Sequence, residues 1–430
     1  MKQLSPDWPF SPRQVPFFYG WVIWGFSTLG FLMSIPGQTM GMAVFTESFI
    51  EVTDLTRTEL SLAYLFGTIG SSFFLTRAGR WYDRFGGRFM ISISSFMLGL
   101  MVLFISFTDH ISQLLGGGAF VLMLIGYFGV RFFGQGVLTS CSRNILLLWF
   151  VKRRGLVSGI RGVFVSFGFS IAPLGLGYLI LTFGWRGALW FMAAIVGIGF
   201  ASLALIFIRD NPASVGLAAD GAKPEDGETA SYESPSRTLS EARRDPVFWI
   251  YSASLGMHAL FGTAMTFHVV SIFAEAGRSK AEAFAYFLPA AVFSTTTNLL
   301  GSWLVDRHRL KPFLIMMLTA FTIGAFGLLN LSEAWGFWML AAGFGCGGGL
   351  WGVISNLAFI RFYGPLNLGA ISGFSTSLSV FSSAIGPAAF SLGLDSFGSY
   401  STGIILCIGL LVTLLLTAII LPQHEVAPLR

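Results

Sequence analysis

The sequence predicts an all-α membrane protein with twelve transmembrane helices in two pseudo-symmetric bundles of six. The 430 residues include only 26 basic and 21 acidic ones, together 11% of the chain, whereas soluble globular proteins have about 25% charged residues. Hydrophobic residues make up 54%, and 52 residues are glycine, which is more frequent in transmembrane than in soluble helices. This composition argues against a soluble globule and against a disordered chain.

Twelve apolar runs are long enough to cross a bilayer, which takes about 20 mostly apolar residues for a core of roughly 30 Å. They lack the period-2 alternation of membrane strands, so we expect helices. The first sixteen residues are polar and rich in proline, and the first run is too long for a signal peptide, so no cleaved leader is expected. The runs are 17–46, 59–78, 89–108, 115–142, 155–181, 186–208, 247–274, 281–303, 312–331, 335–360, 368–393 and 399–421.

The distribution of Lys and Arg orients these spans. With the N-terminus in the cytoplasm, 20 of the 26 basic residues fall in inner segments and four fall in outer loops. The positive-inside rule therefore predicts that both termini are cytoplasmic, in a cell membrane that we expect to be a bacterial inner membrane. The same rule explains the net charge of +5 without a nucleic-acid partner.

One internal segment differs in composition from the rest. Residues 209–246 are rich in Pro, Glu, Asp, Ser and Gly, which is typical of a solvated linker. The predicted organisation is therefore a cytoplasmic tail, a six-helix bundle, a cytoplasmic linker, a second bundle and a second tail. Their bounds are 1–16, 17–208, 209–246, 247–421 and 422–430.

The two bundles look like repeats of one another. Arg154–Trp185 aligns with Leu368–Ser399 at a constant offset of 214 residues, and the fourth span aligns with the tenth at an offset of 213. The matched pairs include Pro173 with Pro387. Parallel repeats of six helices, with the substrate site near the midplane, are the architecture of alternating-access transporters.

The loop after the second span resembles the signature of the major facilitator superfamily. Gly79–Arg88 reads G-R-W-Y-D-R-F-G-G-R, Ser302–Arg307 is a degraded copy of it, and Arg131–Gly136 is similar to a second motif of that superfamily. The resemblance implies that the acidic residue of the loop faces the N-terminus of the eleventh helix, near Leu368, where the helix dipole stabilises it. The implied gate residues are Asp83, Arg84, Arg88, Asp306 and Arg307.

A narrower resemblance is to the monocarboxylate porter and oxalate/formate exchanger group. It rests on Tyr19–Val22, Trp149–Gly155, Gly184–Arg186 and Arg209–Pro212. The resemblance implies transport of small organic anions, with a proton or by exchange. The chain departs from the group at Phe293–Asn298, which has no charge where some members have an arginine.

Two arginines lie inside predicted spans. Arg131 is about eleven residues, or roughly 17 Å, from the cytoplasmic end of its span, where a charge costs roughly 2.5–3.5 kcal/mol. It could bind a substrate anion, or it could bind backbone carbonyls of the first helix. Arg161 is roughly 9 Å deep. It could line an anion site, or it could extend its side chain to the membrane surface.

No Asp or Glu lies in the middle of a span, so the candidates for carrying a proton are His258, the deeper one, and His268. Either could instead be a hydrogen-bonded packing residue. Four polar residues on helices expected to line the cavity could orient a substrate or join helices. These are Gln38, Tyr64, Gln135 and Asn298.

The sequence thus predicts a monomeric secondary transporter in the lipid bilayer, carrying a small organic anion such as a carboxylate, coupled to a proton or a counter-anion. The alternatives are an exporter of neutral or amphipathic compounds and a non-transporting sensor on the same scaffold. Cys141, Cys346 and Cys407 sit singly in apolar runs, so neither disulfides nor a metal site are expected. With no nucleotide loop and no nucleophile–base pair, we expect neither an enzyme nor a cofactor.

Overall fold

The computed structural model describes residues 5–221 and 236–425. Residues 1–4 and 426–430 of the predicted tails, and residues 222–235 of the predicted linker, lie outside the described part. Within it the chain is helical and has no strand, as the apolar runs predict.

We label the long helices α1–α12 in chain order. Helices α5 and α6 are the two parts of one helical stretch, Arg154–Phe207. They are separated at Gly184, whose φ of 71° and ψ of 167° are not helical. The others are α1 Gly20–Met33, α2 Arg57–Phe85, α3 Gly87–Ile105, α4 Ala119–Trp149, α7 Pro246–Glu275, α8 Lys280–Val305, α9 Leu310–Leu329, α10 Ala334–Tyr363, α11 Leu368–Phe397 and α12 Ser401–Ile420.

Each predicted span falls on one of these helices. Within the described residues, nine helices are long and apolar enough to cross a membrane, counting α5 and α6 as one. Two helices fall short of that measure: α1 has only 14 residues, and α2 is long enough, with 29 residues, but not apolar enough. Helix α1 ends where Pro36 and Gly37 form a single 3-10 turn, and the predicted first span continues in two short helices, Thr39–Ala43 and Thr46–Thr53.

Helix α4 is irregular at the second motif. Arg131–Leu138 forms a π-helical segment, a feature that is rare and frequently found at functional sites. The broken end of α1 packs directly against it. Gly37 permits this because it has no side chain, and a side chain there would collide with the backbone of Val130, Gly134 and Gln135. This close approach places the polar groups of the α1 break beside Arg131.

The described residues form two compact units. The first comprises residues 5–152, 163–221 and 365–377, and the second comprises residues 153–162, 236–364 and 378–425. The start of α5 therefore belongs to the second unit, and the start of α11 belongs to the first. These two helix starts place backbone N–H groups beside the signature loops described below.

The amino-terminal segment is part of the first unit and is held by two buried arginines. Arg88 Nη1 and Nη2 donate to the carbonyls of Ser5 and Trp8, and Arg209 Nε and Nη2 donate to those of Pro6 and Phe10. Buried charges need such partners because an unpaired one is costly. The segment is thereby fixed to the first turn of α3 and to the residues that follow α6.

Candidate functional site

In the first unit, Arg131 is buried, with 4% of its surface exposed. Its Nη1 donates to the carbonyl oxygen of Gly37 at 3.1 Å and lies 3.5 Å from Oγ1 of Thr39. The guanidinium carbon lies 5.3 Å from the ring centroid of Tyr64, and Nε has no hydrogen-bond partner in the described residues. The cation is therefore surrounded by neutral groups. One of them is the Gly37 carbonyl at the broken end of α1, the kind of contact that is expected if Arg131 binds the backbone of the first helix and not a substrate.

Three other predicted site residues lie near this arginine. Tyr64 Oη is 2.7 Å from Oγ1 of Thr39, and Gln38 Nε2 donates to Oγ of Ser34 at 3.0 Å. Gln135 belongs to the π-helical segment, and its backbone lies against Gly37. The break in α1 thus brings Gln38, Tyr64 and Gln135 to the same end of the helix as Arg131.

Asp83 binds the start of α11 within the first unit. Its carboxylate accepts hydrogen bonds from the backbone N–H groups of Gly369 at 2.7 Å and Ala370 at 2.8 Å. Helices α2 and α11 can approach this closely because Gly79 has no side chain. A side chain at that position would collide with the backbone oxygen of Gly369. The two amides are among those that have no partner within their own helix, and the helix dipole adds to the attraction.

Asp83 lies in the last turn of α2, beyond its apolar run and among basic residues. Burial raises its pKa to about 6, against the opposing effect of the two backbone hydrogen bonds. Its neighbour Arg84 is exposed, and its guanidinium lies 5.3 Å from the ring centroid of Phe85. Arg88, also predicted as a gate residue, donates to the carbonyls of Ser5 and Trp8 in the amino-terminal segment.

The second unit contains the other buried arginine of the prediction. Arg161 is 3% exposed, and its Nη2 donates to Oδ1 of Asn356 on α10 at 2.7 Å. Asn298 on α8 donates from Nδ2 to the carbonyl oxygen of Gly349 at 3.1 Å. A side chain at Gly162, one residue after Arg161, would touch the Asn298 amide. These contacts place a guanidinium and two carboxamides where α5, α8 and α10 meet.

The two histidines of α7 have different surroundings. The His258 ring lies 4.8 Å from that of Phe321 and 5.0 Å from that of Trp351, measured between centroids. Its Nδ1 has no hydrogen-bond partner in the part of the chain that the structure describes, and neither does the buried Nε1 of Trp351. His258 is therefore packed among aromatic rings.

His268 has partners on both ring nitrogens. Nε2 lies 3.0 Å from the carbonyl oxygen of Pro387 on α11, and Nδ1 lies 3.2 Å from Oη of Tyr400 beside α12. Ser391 Oγ is a further neighbour, 3.4 Å from Nε2. A neutral ring can donate to Pro387 and accept from Tyr400, and a protonated ring can donate to both.

The degraded copy of the signature has a matching contact in the second unit. Asp306 accepts hydrogen bonds from the backbone N–H groups of Gly155 at 2.7 Å and Leu156 at 3.0 Å, at the start of α5. The guanidinium of Arg307 lies 4.5 Å from the ring centroid of Trp303. Each unit therefore has a carboxylate at the N-terminus of a helix whose other end belongs to the other unit.

Two residues of these clusters, Asn356 and Arg361, are not among the site residues that the sequence predicts. Asn356 occupies the position in α10 that corresponds to Arg143 in α4 at the offset of 213, so the repeat could have indicated it. Arg361 was counted only as an inner positive charge. It donates to the carbonyls of Val305 and His308 and lies 3.9 Å from Asp306, contacts that no local pattern indicates.

Comparisons with known proteins agree with this fold. The major facilitator superfamily model matches residues 25–387. In the solved structures, the chain resembles the proton:xylose symporter XylE bound to 6-bromo-6-deoxy-D-glucose, with a TM-score of 0.70 and 16% identity, over 96% of this chain and 98% of that one. It also resembles the fucose:proton symporter FucP of E. coli, with a TM-score of 0.67 and 15% identity, over 95% of this chain and 100% of that one.

A local sequence match is to the multidrug resistance protein B homolog of Mycobacterium tuberculosis (strain CDC 1551 / Oshkosh). The identity is 34% over 143 residues, which are 32% of this chain and 24% of that protein. The match therefore spans about a quarter of the relative. The family model covers most of the chain, and the protein belongs to the major facilitator superfamily, whose members are transporters.

Proposed function

We propose that the protein is a secondary transporter that moves a small organic anion across a bacterial inner membrane by alternating access. The observation that supports an anionic substrate is the environment of Arg131. This cation is buried in the first unit, its contacts are all neutral, and one of its N–H groups has no partner in the described residues. A carboxylate would satisfy both the charge and the free donor.

In this proposal all twelve helices cross the membrane with both termini inside, and the bundles and linker have the predicted bounds. Arg161 with Asn356 and Asn298 forms a second polar group for the substrate, and Gln38, Tyr64 and Gln135 orient it. Asp83 and Asp306 hold the starts of α11 and α5 in one conformation and release them in the other. A proton or a counter-anion drives the cycle, and the chain acts as a monomer.

The test is a thermal-shift titration of the purified protein with pairs of ligands that differ only in charge, each a carboxylate and its amide. A ligand at about 100 times its Kd stabilises the folded protein by about 2.7 kcal/mol, so a carboxylate that binds should raise the Tm and its amide should not. Arg131→Gln should abolish the shift, whereas Arg131→Lys, which retains the charge, should keep part of it. An unchanged shift in Arg131→Gln would reject the assignment.

A second candidate function is export of neutral or amphipathic compounds. It is favoured by the local match to proteins named multidrug resistance protein B homolog. Efflux of a neutral fluorescent dye from cells that express the protein would support it. In that case Arg131→Gln should leave the efflux unchanged, and the carboxylate ligands should give no thermal shift.

A further inference from the structure

An apolar groove lies on the surface of the first unit, between α2, α3 and α4. It has a volume of about 170 Å³ and is lined by aromatic and aliphatic side chains, among them Trp81, Phe85, Ile93 and Phe133. Trp81 is 47% exposed, so the groove is open at the outside of the unit. The polar residue in the lining, Ser94, donates its hydroxyl to the carbonyl oxygen of Ile91.

The size of the groove suits an apolar chain. An engineered apolar cavity of about 150 Å³ remains dry and binds a benzene ring, so this groove can hold about six carbons of a hydrocarbon chain. Its α4 wall is the π-helical segment that contains Phe132, Phe133 and Val137. The groove is therefore formed where this helix departs from regular geometry.

Three exposed arginines lie beside the groove on α2. Arg77 and Arg84 are four residues before and three residues after Trp81, which places them on the same side of the helix. Arg80 is four residues before Arg84, so these two side chains are neighbours on the helix surface. None of the three forms an ion pair within the described residues. The carboxylate between them, Asp83, is bonded to the start of α11. An apolar groove thus adjoins a cluster of three arginines and one carboxylate, which has a net positive charge.

We propose that this groove and these arginines form a binding site for an anionic phospholipid of the cytoplasmic leaflet. One acyl chain lies along Trp81, Phe85 and Phe133, and the headgroup phosphate is bound by Arg80 and Arg84. The inference rests on the proposed orientation, which places these arginines at the cytoplasmic surface. That leaflet is rich in anionic lipid, and each basic residue near it contributes about 1 kcal/mol, or about a fivefold increase in the binding constant.

Native mass spectrometry of the purified full-length protein, with added phosphatidylglycerol or phosphatidylcholine, tests the site. The wild type should bind phosphatidylglycerol at least tenfold more tightly than phosphatidylcholine. The double variant Arg80→Gln/Arg84→Gln should lose about 25-fold for phosphatidylglycerol, two fivefold factors, and clearly less for phosphatidylcholine, whose choline cation offsets the charge of its phosphate. Ile93→Trp, which fills the groove, should weaken both lipids, and Phe89→Trp serves as a second filling variant if the first does not fold.

The matched controls are Arg153→Gln, an exposed cation of another predicted inner segment, and Ile125→Trp, an exposed position of α4 outside the groove. Both should behave as wild type. Equal binding of the two lipids by the wild type, unchanged binding after both groove fillings, or a second copy of the chain as the bound species would overturn the proposal. Lipid binding is measured without substrate, so a failure of the organic-anion proposal would not change this result.

Discussion

The carboxylate of Asp83 lies 2.7 Å from the backbone nitrogen of Gly369, although the two residues are separated by 286 positions in the chain. This contact joins the signature loop to the first turn of α11. A second acceptor oxygen engages the next amide, that of Ala370. The same arrangement recurs between Asp306 and the first turn of α5, so each contact provides a control for the other.

Asp83→Ala should expose the amides of Gly369 and Ala370 to solvent exchange. Leaving a buried donor unsatisfied costs about 1–3 kcal/mol, which corresponds to roughly 5- to 150-fold faster exchange. Hydrogen–deuterium exchange of the peptide that contains both residues measures this change. Asp306→Ala should instead affect Gly155 and Leu156 and leave the α11 peptide unchanged. Wild-type exchange of the α11 peptide in Asp83→Ala would show that the contact does not hold the helix start.

The Asp83 contact should also depend on pH. Its pKa is raised from 3.8 to about 6 while it is buried, and it returns towards its ordinary value when the contact opens. The bonded state then binds a proton more tightly than the open state. The free energy of opening should therefore fall as pH rises from about 4 to about 6 and stay constant above that.

The measurement is the protection factor of the Gly369 and Ala370 amides, corrected for intrinsic exchange. It should decrease by about one to two orders of magnitude across that pH window. In Asp83→Ala the corrected value should not vary with pH. A protection factor that rises with pH in the wild type would contradict the sign of the shift.

If transport is proton-coupled, His268→Gln should abolish the uptake that an imposed pH gradient drives. Depth along the helix favours His258, but the hydrogen bonds favour His268, because its ring has partners in both charge states. His258→Gln is the matched control and should retain wild-type uptake. The measurement is uptake into vesicles under an imposed pH gradient, with counterflow exchange as the test that the binding site is intact. The opposite ranking of the two variants would identify His258 as the proton carrier.

Gly184 separates α5 from α6 with a φ of 71°, and its repeat partner Gly398 has a φ of 70°. No atom lies within 4 Å of a side chain built at Gly184, so only backbone strain opposes a substitution. Gly184→Ala should therefore cost about 1–3 kcal/mol. Gly175→Ala, equally open but helical, should instead stabilise by about 0.5–1 kcal/mol. Thermal unfolding in detergent compares them, and equal Tm values would show that the turn accepts alanine.

The amino-acid sequence by itself determined the class of protein and the order of its helices. Long apolar runs form membrane helices whatever their neighbours are, because every backbone polar group is satisfied within the helix. The offset of 214 residues also relates Gly184 to Gly398, and the signature around Asp83 indicated the superfamily. These features are properties of short stretches of chain, so they can be read without knowing which helices touch.

Only the tertiary structure decided the partners of the polar side chains. The neutral surroundings of Arg131 come from the break in α1, the partner of Arg161 comes from α10, and those of His268 come from α11 and the start of α12. One wall of the groove beside Trp81 is the π-helical segment of α4, which no pattern in the sequence predicts. Hydrogen bonds and close packing depend on distances between atoms that are far apart in the chain, and those distances exist only once the helices have packed.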